Sequence, residues 1–231
     1  MTRLAYLQRR WPDSPPFQAV AGRWCRDQSR LLLDLIWQGY DRLLPDLEHT
    51  PLCCDDEAKE ESLNHLLAVR IDQCKNGDEP FCVQHQPPEQ TKRKRGRGAS
   101  PRPDIGFVLY DYPRTVWPLE GKVLAHDDDM GVYVREILDN FVAYRYATFS
   151  SEGAMLGYLL HGEPERAFDA VAARLAQILS EHPCFPDRPQ RISRHRRDDA
   201  SRLTGSAAFV CHHLLLRIPV ANVPPERVGG Q

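Results

Sequence analysis

The feature that most constrains the fold is a pair of apolar, strand-like runs separated by a short polar turn. The first run is IGFVLY, residues 105–110, and the second is TVWPLEGKVL, residues 115–124. The four residues between them, Asp-Tyr-Pro-Arg, include Asp and Pro, which favour tight turns. This arrangement predicts a β-hairpin. Because Pro118 lacks an N–H donor, we expect a bulge or an unpaired position in the second strand.

The segments on either side of the hairpin are predicted to be helices and strands in alternation. Residues 56–72 have an acidic first turn followed by apolar residues at helical spacing, and residues 130–147 repeat the apolar pattern. A buried strand, residues 154–160, precedes a helix that begins at Pro164. Residues 207–218 form the last predicted strand. Together these elements predict an α/β fold.

The first 50 residues are predicted to form a helical extension. Leucine and isoleucine recur at helical spacing between residues 31 and 36, and we expect Pro45 to end this helix. A chain of 231 residues accommodates one domain and an appendage. We therefore divide the sequence into a helical N-terminal extension, residues 1–50, and a main domain, residues 51–231.

The overall charge gives no reason to expect attraction to nucleic acid or to an anionic membrane. There are 30 Lys and Arg residues against 32 Asp and Glu, which leaves a net charge of −2. Seven cysteines without a C-x-x-C motif favour reduced thiols and a cytoplasmic location. The sequence has neither an apolar export signal nor 18 consecutive apolar residues, so we expect no membrane contact. Any attraction to nucleic acid must be local.

Two carboxylates and one lysine fall close together at one end of the hairpin. Glu120 and Lys122 are two residues apart in a strand and therefore project from the same face. With the turn centred between residues 112 and 113, Asp104 pairs with Gly121, and Glu120 and Lys122 become its diagonal neighbours. We expect both carboxylates to face solvent rather than the core.

This cluster has the composition of a divalent-cation site. Two carboxylates bind Mg²⁺ or Mn²⁺ while leaving positions for water and a phosphate, and a nearby lysine orients or deprotonates the attacking water. Such a site is suited to phosphodiester hydrolysis. An E-x-K segment also occurs by chance in many proteins. The alternative is therefore that Glu120 and Lys122 are only the exposed face of a strand, and that Asp104 only ends the preceding loop.

The sequence around the cluster adds to this interpretation. The segment PRPDIGFVLYDYPRTVWPLEGKVL, with Asp after Pro opening one strand and E-x-K in the next, resembles the signature of the restriction-endonuclease-like PD-(D/E)xK nuclease superfamily. The resemblance covers about residues 56–160. It implies a restriction-endonuclease-like core, in which helices flank a central mixed sheet. It also implies a metal-dependent nuclease in a prokaryotic restriction or phage-defence system, with DNA favoured as substrate and RNA left open.

The resemblance also implies a role for each residue of the cluster. Asp104 and Glu120 hold the metal, and Lys122 orients or activates the water. In this superfamily a helix before the hairpin often supplies a further acidic residue, and here EESLNHLLAVRID occupies that place. Glu60 shares a helix face with leucines of this segment, whereas Glu61 is rotated by roughly 100°. We favour Glu60 as the third metal ligand and keep Glu61 as the alternative.

Two basic segments are candidate nucleic-acid contacts. One lies in a Pro- and Gly-rich segment, residues 86–102, which we expect to be a mobile loop, and the other in a predicted loop at residues 188–202. Basic side chains on such loops track a phosphate backbone without distinguishing its sequence, and Ser193 and His195 are candidates for further hydrogen bonds to phosphate. The alternative is a solvated surface. The candidate basic contacts are Lys92, Arg93, Lys94, Arg95, Arg97, Arg102, Arg194 and Arg196.

The rival hypothesis is a non-catalytic, nuclease-like subunit. It would bind nucleic acid or a partner protein through the basic segment and the N-terminal helices. A homodimer through those helices is a further alternative, since cutting both strands of a duplex commonly requires two active sites.

Two other polar motifs have structural interpretations. The three aspartates at residues 127–129 lack the spacing of a Ca²⁺-binding loop, so we expect them to cap the helix that follows. His212 and His213 lie in an apolar strand. Alternation along a strand predicts that one of them is buried and the other exposed.

Overall fold

The computed structural model describes residues 29–49, 55–77, 79–88, 101–110, 113, 115–145, 147, 150–197 and 207–219. Within these ranges the helices are α1 (Ser29–His49), α2 (Asp56–Asp72), α3 (Gly131–Glu136) and α4 (Pro164–Leu175), and a π-helical turn (Ile137–Val142) continues α3. The strands are β1 (Phe81–His85), β2 (Ile105–Leu109), β3 (Val116–Leu124), β4 (Glu152–Leu159), β5 (Ser180–Glu181), β6 (Gln190–Arg196) and β7 (Ala208–Arg217).

The described strands form a seven-stranded mixed sheet in the order β1-β2-β3-β4-β7-β6-β5. Strands β1, β2 and β3 make an antiparallel meander, and β3, β4 and β7 run parallel to one another. Strands β6 and β5 continue antiparallel to the other edge. The connection from β3 to its parallel neighbour β4 contains α3 and the π-helical turn. The chain is therefore an α/β protein, as its sequence predicts.

Helices cover both faces of this sheet. Helices α1 and α2 pack on one face, where Trp37 and Trp117 are buried. Helix α3, the π-helical turn and α4 pack on the other face, around Tyr133 and Phe168. Because both faces are buried, the central strands have nearly continuous apolar sequences instead of alternating ones. None of the described helices is long and apolar enough to cross a membrane.

Helix α1 continues through Pro45, so the prediction that this proline ends the helix is wrong. Pro45 is exposed, and its missing N–H removes one backbone hydrogen bond on the solvent side. Leu43 and Leu47, on either side of it, are buried in the core that α1 shares with the sheet. Tertiary packing therefore stabilises the helix across the proline. The rest of the predicted extension, residues 1–28 and 50, lies outside the described residues.

The hairpin forms as predicted, but its register differs by one residue. Ile105 pairs with Leu119, which brings Asp104 level with Glu120 instead of the residue after it. The strands are separated by residues 110–115, a longer connection than the four-residue turn assumed from the sequence. The paired residues are centred on residue 112 instead of between residues 112 and 113, so the turn contains an odd number of residues and the register shifts by one.

Pro118 fits into β3 without a bulge. It pairs in register with Gly106 of β2, and the ladder between β3 and β4 begins only at the next residue, Leu119. Pro118 therefore lies where β3 is not yet paired with β4, which agrees with the expectation of an unpaired position.

The helix after β3 differs from its prediction in length and in its cap. Helix α3 has six residues and passes into the π-helical turn, which ends at Val142 instead of continuing to residue 147. The N-cap residue is Met130, and no side chain caps the helix, so the prediction that the aspartates at 127–129 do so is wrong. Asp127 instead accepts a hydrogen bond from the N–H of Glu163 at 2.9 Å, at the start of α4.

Candidate active site

The predicted cluster lies where β3 extends beyond its pairing with β2. The ladder between the two strands ends at Leu119, and β3 continues beyond it. Backbone N–H groups on this unpaired edge need other partners. The N–H of Gly121 donates to Asp104 Oδ2 at 2.9 Å, and the N–H of Val123 donates to Glu60 Oε2 at 3.3 Å. Two of the predicted carboxylates therefore converge on the open edge of β3.

Helix α2 brings Glu60 to this edge. Asp55 caps the helix by accepting a hydrogen bond from the N–H of Ala58 at 2.8 Å, so the helix begins about one turn before Glu60. Leu63 and Leu67 are buried against the sheet. Residues three and seven positions apart share a helix face, so Glu60 lies on the packed side of α2.

Glu60 and Lys122 form an ion pair between α2 and β3. Lys122 Nζ lies 2.6 Å from Glu60 Oε1, and both side chains are largely buried. Burial by itself would lower the pKa of Lys122, but the hydrogen bond to Glu60 and the surrounding carboxylates raise it above its usual value. Lys122 is therefore a fixed positive charge in this structure. Glu61, the alternative acidic residue of α2, is exposed.

Glu120 is buried, with 5% of its surface exposed, so the expectation that it faces solvent is wrong. The π-helical turn lies against it, and Glu120 Oε1 is 3.5 Å from Asn140 Nδ2. Glu120 Oε2 has no hydrogen-bond partner among the described residues. Burial, reinforced by the negative charge of Asp104, raises the pKa of Glu120 well above its usual value.

Asp104 is partly buried next to this carboxylate. Burial raises the pKa of Asp104 to about 6, although the hydrogen bond from Gly121 and the charge of Lys122 act in the opposite direction. The two carboxylates thus lie in an environment that disfavours their negative charges. Such a pair of acidic groups with raised pKa values is typical of catalytic and cation-binding sites.

Two further side chains adjoin the cluster and were missed by the sequence analysis. Asn140 Nδ2 donates a hydrogen bond to Glu136 Oε2 as well as facing Glu120. The negative charge of Glu136 contributes to the raised pKa values of Glu120 and Asp104. The available signal was the spacing of Glu136 and Asn140 on the predicted helix after E-x-K, since residues four apart share a helix face.

The structure thus brings together all four predicted catalytic residues, Glu60, Asp104, Glu120 and Lys122. Across the described part of the chain, no three His, Cys, Asp or Glu side chains are arranged so that they could already hold one metal ion. Comparisons of the chain with protein-family models, curated proteins and solved structures gave no match.

The predicted basic contacts are distributed over two regions. Arg102 is exposed two residues before Asp104. Arg194 and Arg196 are exposed on β6 and, being two residues apart in a strand, project from the same face. The remaining candidates, Lys92, Arg93, Lys94, Arg95 and Arg97, lie outside the described residues.

The predicted loop at residues 188–202 contains strand β6, which pairs antiparallel with β7. Ser193 is buried, with its Oγ 2.7 Å from His213 Nε2 and 2.7 Å from His195 Nε2, so it is not available to a phosphate. Arg197 is also buried, and its guanidinium lies 3.9 Å from the ring centroid of Phe209. Pairing with β7 draws this polar segment into the sheet.

His212 and His213 are both buried, which corrects the prediction that alternation exposes one of them. Strand β7 lies between β4 and β6, and helices cover both faces of the sheet at that position. His212 Nε2 is 3.1 Å from Glu152 Oε2, and His213 Nδ1 is 3.2 Å from the Tyr133 hydroxyl. These contacts account for the two histidines as hydrogen-bonded groups of the core.

Proposed function

We propose that this chain is a divalent-cation-dependent nuclease with a restriction-endonuclease-like core. The order of its elements supports the proposal: an acidic helix (α2), a strand (β1), the β2–β3 hairpin, a helix (α3) and a strand (β4). The observation that carries it is the convergence of Glu60, Asp104 and Lys122 on the open edge of β3. Glu60 and Lys122 are 62 positions apart in the chain, and three separate elements contribute to the cluster.

The acidic residues of the cluster fit a hard divalent cation such as Mg²⁺ or Mn²⁺. Carboxylate oxygens are the donors that these ions prefer, and Mg²⁺ needs only one or two of them because it keeps several waters. Glu120 Oε2 is buried without a hydrogen-bond partner among the described residues, which is unfavourable for an isolated charge. Asp104 and Glu120 would hold the cation, with Glu60 beside them. A bound cation would supply Lewis-acid stabilisation and a more acidic water.

Lys122 is the residue that we expect to act on the phosphate and the water. Its ion pair with Glu60 fixes the ammonium group next to Asp104, whose pKa responds to the charge of Lys122. A preorganised positive charge orients an attacking water and offsets the negative charge that develops in the transition state. Glu60 therefore positions Lys122 in addition to adjoining the cation.

The proposed substrate is nucleic acid, in the first instance DNA. Phosphodiester hydrolysis is the reaction suited to carboxylates, a divalent cation and a lysine in this combination. Exposed Arg102 lies two residues from Asp104, and Arg194 and Arg196 offer further phosphate contacts. A role in a prokaryotic restriction or phage-defence system, in the cytoplasm, follows from the sequence resemblance and is part of the proposal.

One observation favours the rival, a non-catalytic subunit that binds nucleic acid or a partner protein. Asp104 and Glu60 accept hydrogen bonds from backbone N–H groups of β3, and Glu60 neutralises Lys122. The same contacts would stabilise an unpaired strand edge without any catalysis. The two candidates differ in whether the folded protein cleaves nucleic acid.

The decisive experiment incubates the purified chain with plasmid DNA, linear single-stranded DNA and RNA, in Mg²⁺ or Mn²⁺ and in EDTA. We expect cation-dependent cleavage that Asp104→Ala and Glu120→Gln abolish while the proteins stay folded. The charge-matched control is Asp139→Asn, which changes an exposed carboxylate near the cluster. Undiminished cleavage by folded Glu120→Gln would refute the assignment, and the absence of cleavage in every condition would favour the rival.

Lys122→Ala separates catalysis from binding. We expect its single-turnover cleavage rate in Mg²⁺ to fall by about 10² or more, since one preorganised electrostatic group is lost. Substrate affinity should change far less, because one phosphate contact among many is removed. A large loss of affinity with an unaltered rate would show that Lys122 only binds the backbone.

A further inference from the structure

The π-helical turn after α3 places an amide between two carboxylates. The turn is closed by the N–H of Ala143 donating to the carbonyl of Leu138 at 3.0 Å, a bond one residue longer than in an α-helix. Its Asn140 is 1% exposed, and Asn140 Nδ2 contacts both Glu136 and Glu120. Such turns are rare in proteins and occur frequently at functional sites.

Two buried oxygens next to this amide have no hydrogen-bond partner among the described residues. They are Glu120 Oε2 and Asn140 Oδ1. Leaving a buried polar atom of this kind without a partner is unfavourable, so native structures that contain one have a reason for it. Both atoms are hard oxygen donors, and the groups that carry them adjoin each other. A cation bound beside these two groups accounts for both oxygens.

The charges around Glu136 point to the same kind of partner. In addition to burial, the negative charge of Glu136 raises the pKa of both Asp104 and Glu120, and Asp104 also raises the pKa of Glu120. The ammonium of Lys122 is directed to Glu60, which it already neutralises at 2.6 Å. Among the described residues, the hydrogen bonds that the other carboxylates accept come from neutral groups, the N–H of Gly121 and the amide of Asn140. A divalent cation would balance this excess of negative charge.

We propose that Glu136 is a further acidic residue of the cation site, and that Asn140 positions Glu136 and Glu120 around it. The inference rests on the proposed function, since it concerns the cation that the proposed nuclease requires. Mg²⁺ and Mn²⁺ complete their coordination with water, so the carboxylates need not already surround a single point in this structure. Glu136 extends the acidic set beyond the residues that the sequence motif contains.

The direct test is Mn²⁺ binding measured by isothermal titration calorimetry. We compare the full chain with Glu136→Gln, in which the new amide oxygen still accepts from Asn140 while the charge is lost. We expect Mn²⁺ affinity to fall by about tenfold or more in Glu136→Gln. The matched control Asp139→Asn removes the same charge from an exposed position nearby and should change affinity by less than about twofold, because solvent screens it.

A second variant tests the positioning role of Asn140. Asn140→Asp places a third negative charge between Glu120 and Glu136, so we expect a lower Tm than wild type in EDTA. If the site holds a cation, Mn²⁺ offsets this repulsion. The rise in Tm on adding Mn²⁺ should then be larger in Asn140→Asp than in wild type. If Asn140 lies away from the cation, the Mn²⁺-induced shifts of the two proteins should be equal.

The outcomes separate this inference from the proposed function. Equal Mn²⁺ affinities of Glu136→Gln and Asp139→Asn, or equal Tm shifts of wild type and Asn140→Asp, overturn the role of Glu136 and Asn140 while the nuclease proposal stands. A wild-type protein that binds Mn²⁺ with the expected dependence on Glu136 but cleaves no nucleic acid overturns the nuclease proposal alone. A wild-type protein that binds no Mn²⁺ overturns both.

Discussion

Gly121, the middle residue of the E-x-K segment, offers a sharp test of how the cluster is built. A methyl group at this position would lie 2.2 Å from Asn64 Oδ1 and 2.9 Å from Asn64 Cγ. Asn64 is 1% exposed, and its Oδ1 accepts a hydrogen bond from the Tyr158 hydroxyl at 2.7 Å. The substitution Gly121→Ala must therefore displace the side chain of Asn64, which projects from α2. This movement disrupts the buried hydrogen bond between Asn64 and Tyr158 of β4.

The expected magnitude follows from these contacts. Overpacking a well-packed core costs about 1 to 3 kcal/mol, and an unpaired buried hydroxyl costs about 1 to 3 kcal/mol. The free energy of unfolding of Gly121→Ala should therefore fall by about 2 to 5 kcal/mol, since part of the strain relaxes. For a chain of this size such a loss corresponds to a decrease in Tm of roughly 4 to 20 °C.

Urea unfolding followed by circular dichroism measures this loss. The control is Gly131→Ala at the start of α3, where an added methyl group meets nothing within 4 Å and the free energy of unfolding should stay within about 0.5 kcal/mol of wild type. In an Asn64→Ala/Tyr158→Phe background both the obstacle and the hydroxyl are gone, so adding Gly121→Ala should cost less than about 1 kcal/mol. Wild-type stability of Gly121→Ala, or an equal cost in both backgrounds, would refute the reasoning.

Three other outcomes are expected. Burial, together with the nearby charges of His195 and His212, lowers the pKa of His213 to about 3. Folding therefore favours the neutral form of His213. Its contribution to the free energy of unfolding is complete above about pH 6.5 and is about 2 to 3 kcal/mol smaller at pH 4.5. Urea unfolding of His213→Gln across this range should show a flatter pH dependence, and an unchanged profile contradicts the assignment. In EDTA at pH 8, Glu120→Gln should raise the free energy of unfolding by about 1 to 3 kcal/mol, because it removes a buried charge next to Asp104. A lower free energy of unfolding in the same assay contradicts this prediction. Neutralising the basic run at residues 92–95 should reduce the slope of log DNA affinity against log salt by up to about 0.9 per lost contact, and an unaltered slope excludes phosphate contacts there.

Much of the local structure could be predicted from the sequence. The bounds of α2 match the prediction, because an acidic first turn and apolar residues at helical spacing both lie within that segment. The two hairpin strands and the Pro164 start of α4 are likewise confirmed. The pairing of the hairpin strands places Lys122 beside Asp104, and helical periodicity favours Glu60 on the helix that the family resemblance indicates. All of these signals come from residues close together in the chain.

Other features depended on the tertiary structure. The register of the hairpin shifts by one residue because an odd number of residues lies between the paired strands, and Glu120 is buried because the π-helical turn lies against it. The contact between Asn140 and Glu120 follows from the same packing.

The histidines of β7 and the polar strand β6 show the same dependence on distant neighbours. His212 and His213 are both buried because helices cover the two faces of the sheet, and β6 is a strand because β7 offers it an edge. Periodicity and capping are properties of neighbouring residues. Burial, register and the charges around a carboxylate depend instead on which distant segments the folded chain brings into contact, because a group's solvation and electrostatic energy are set by everything that surrounds it.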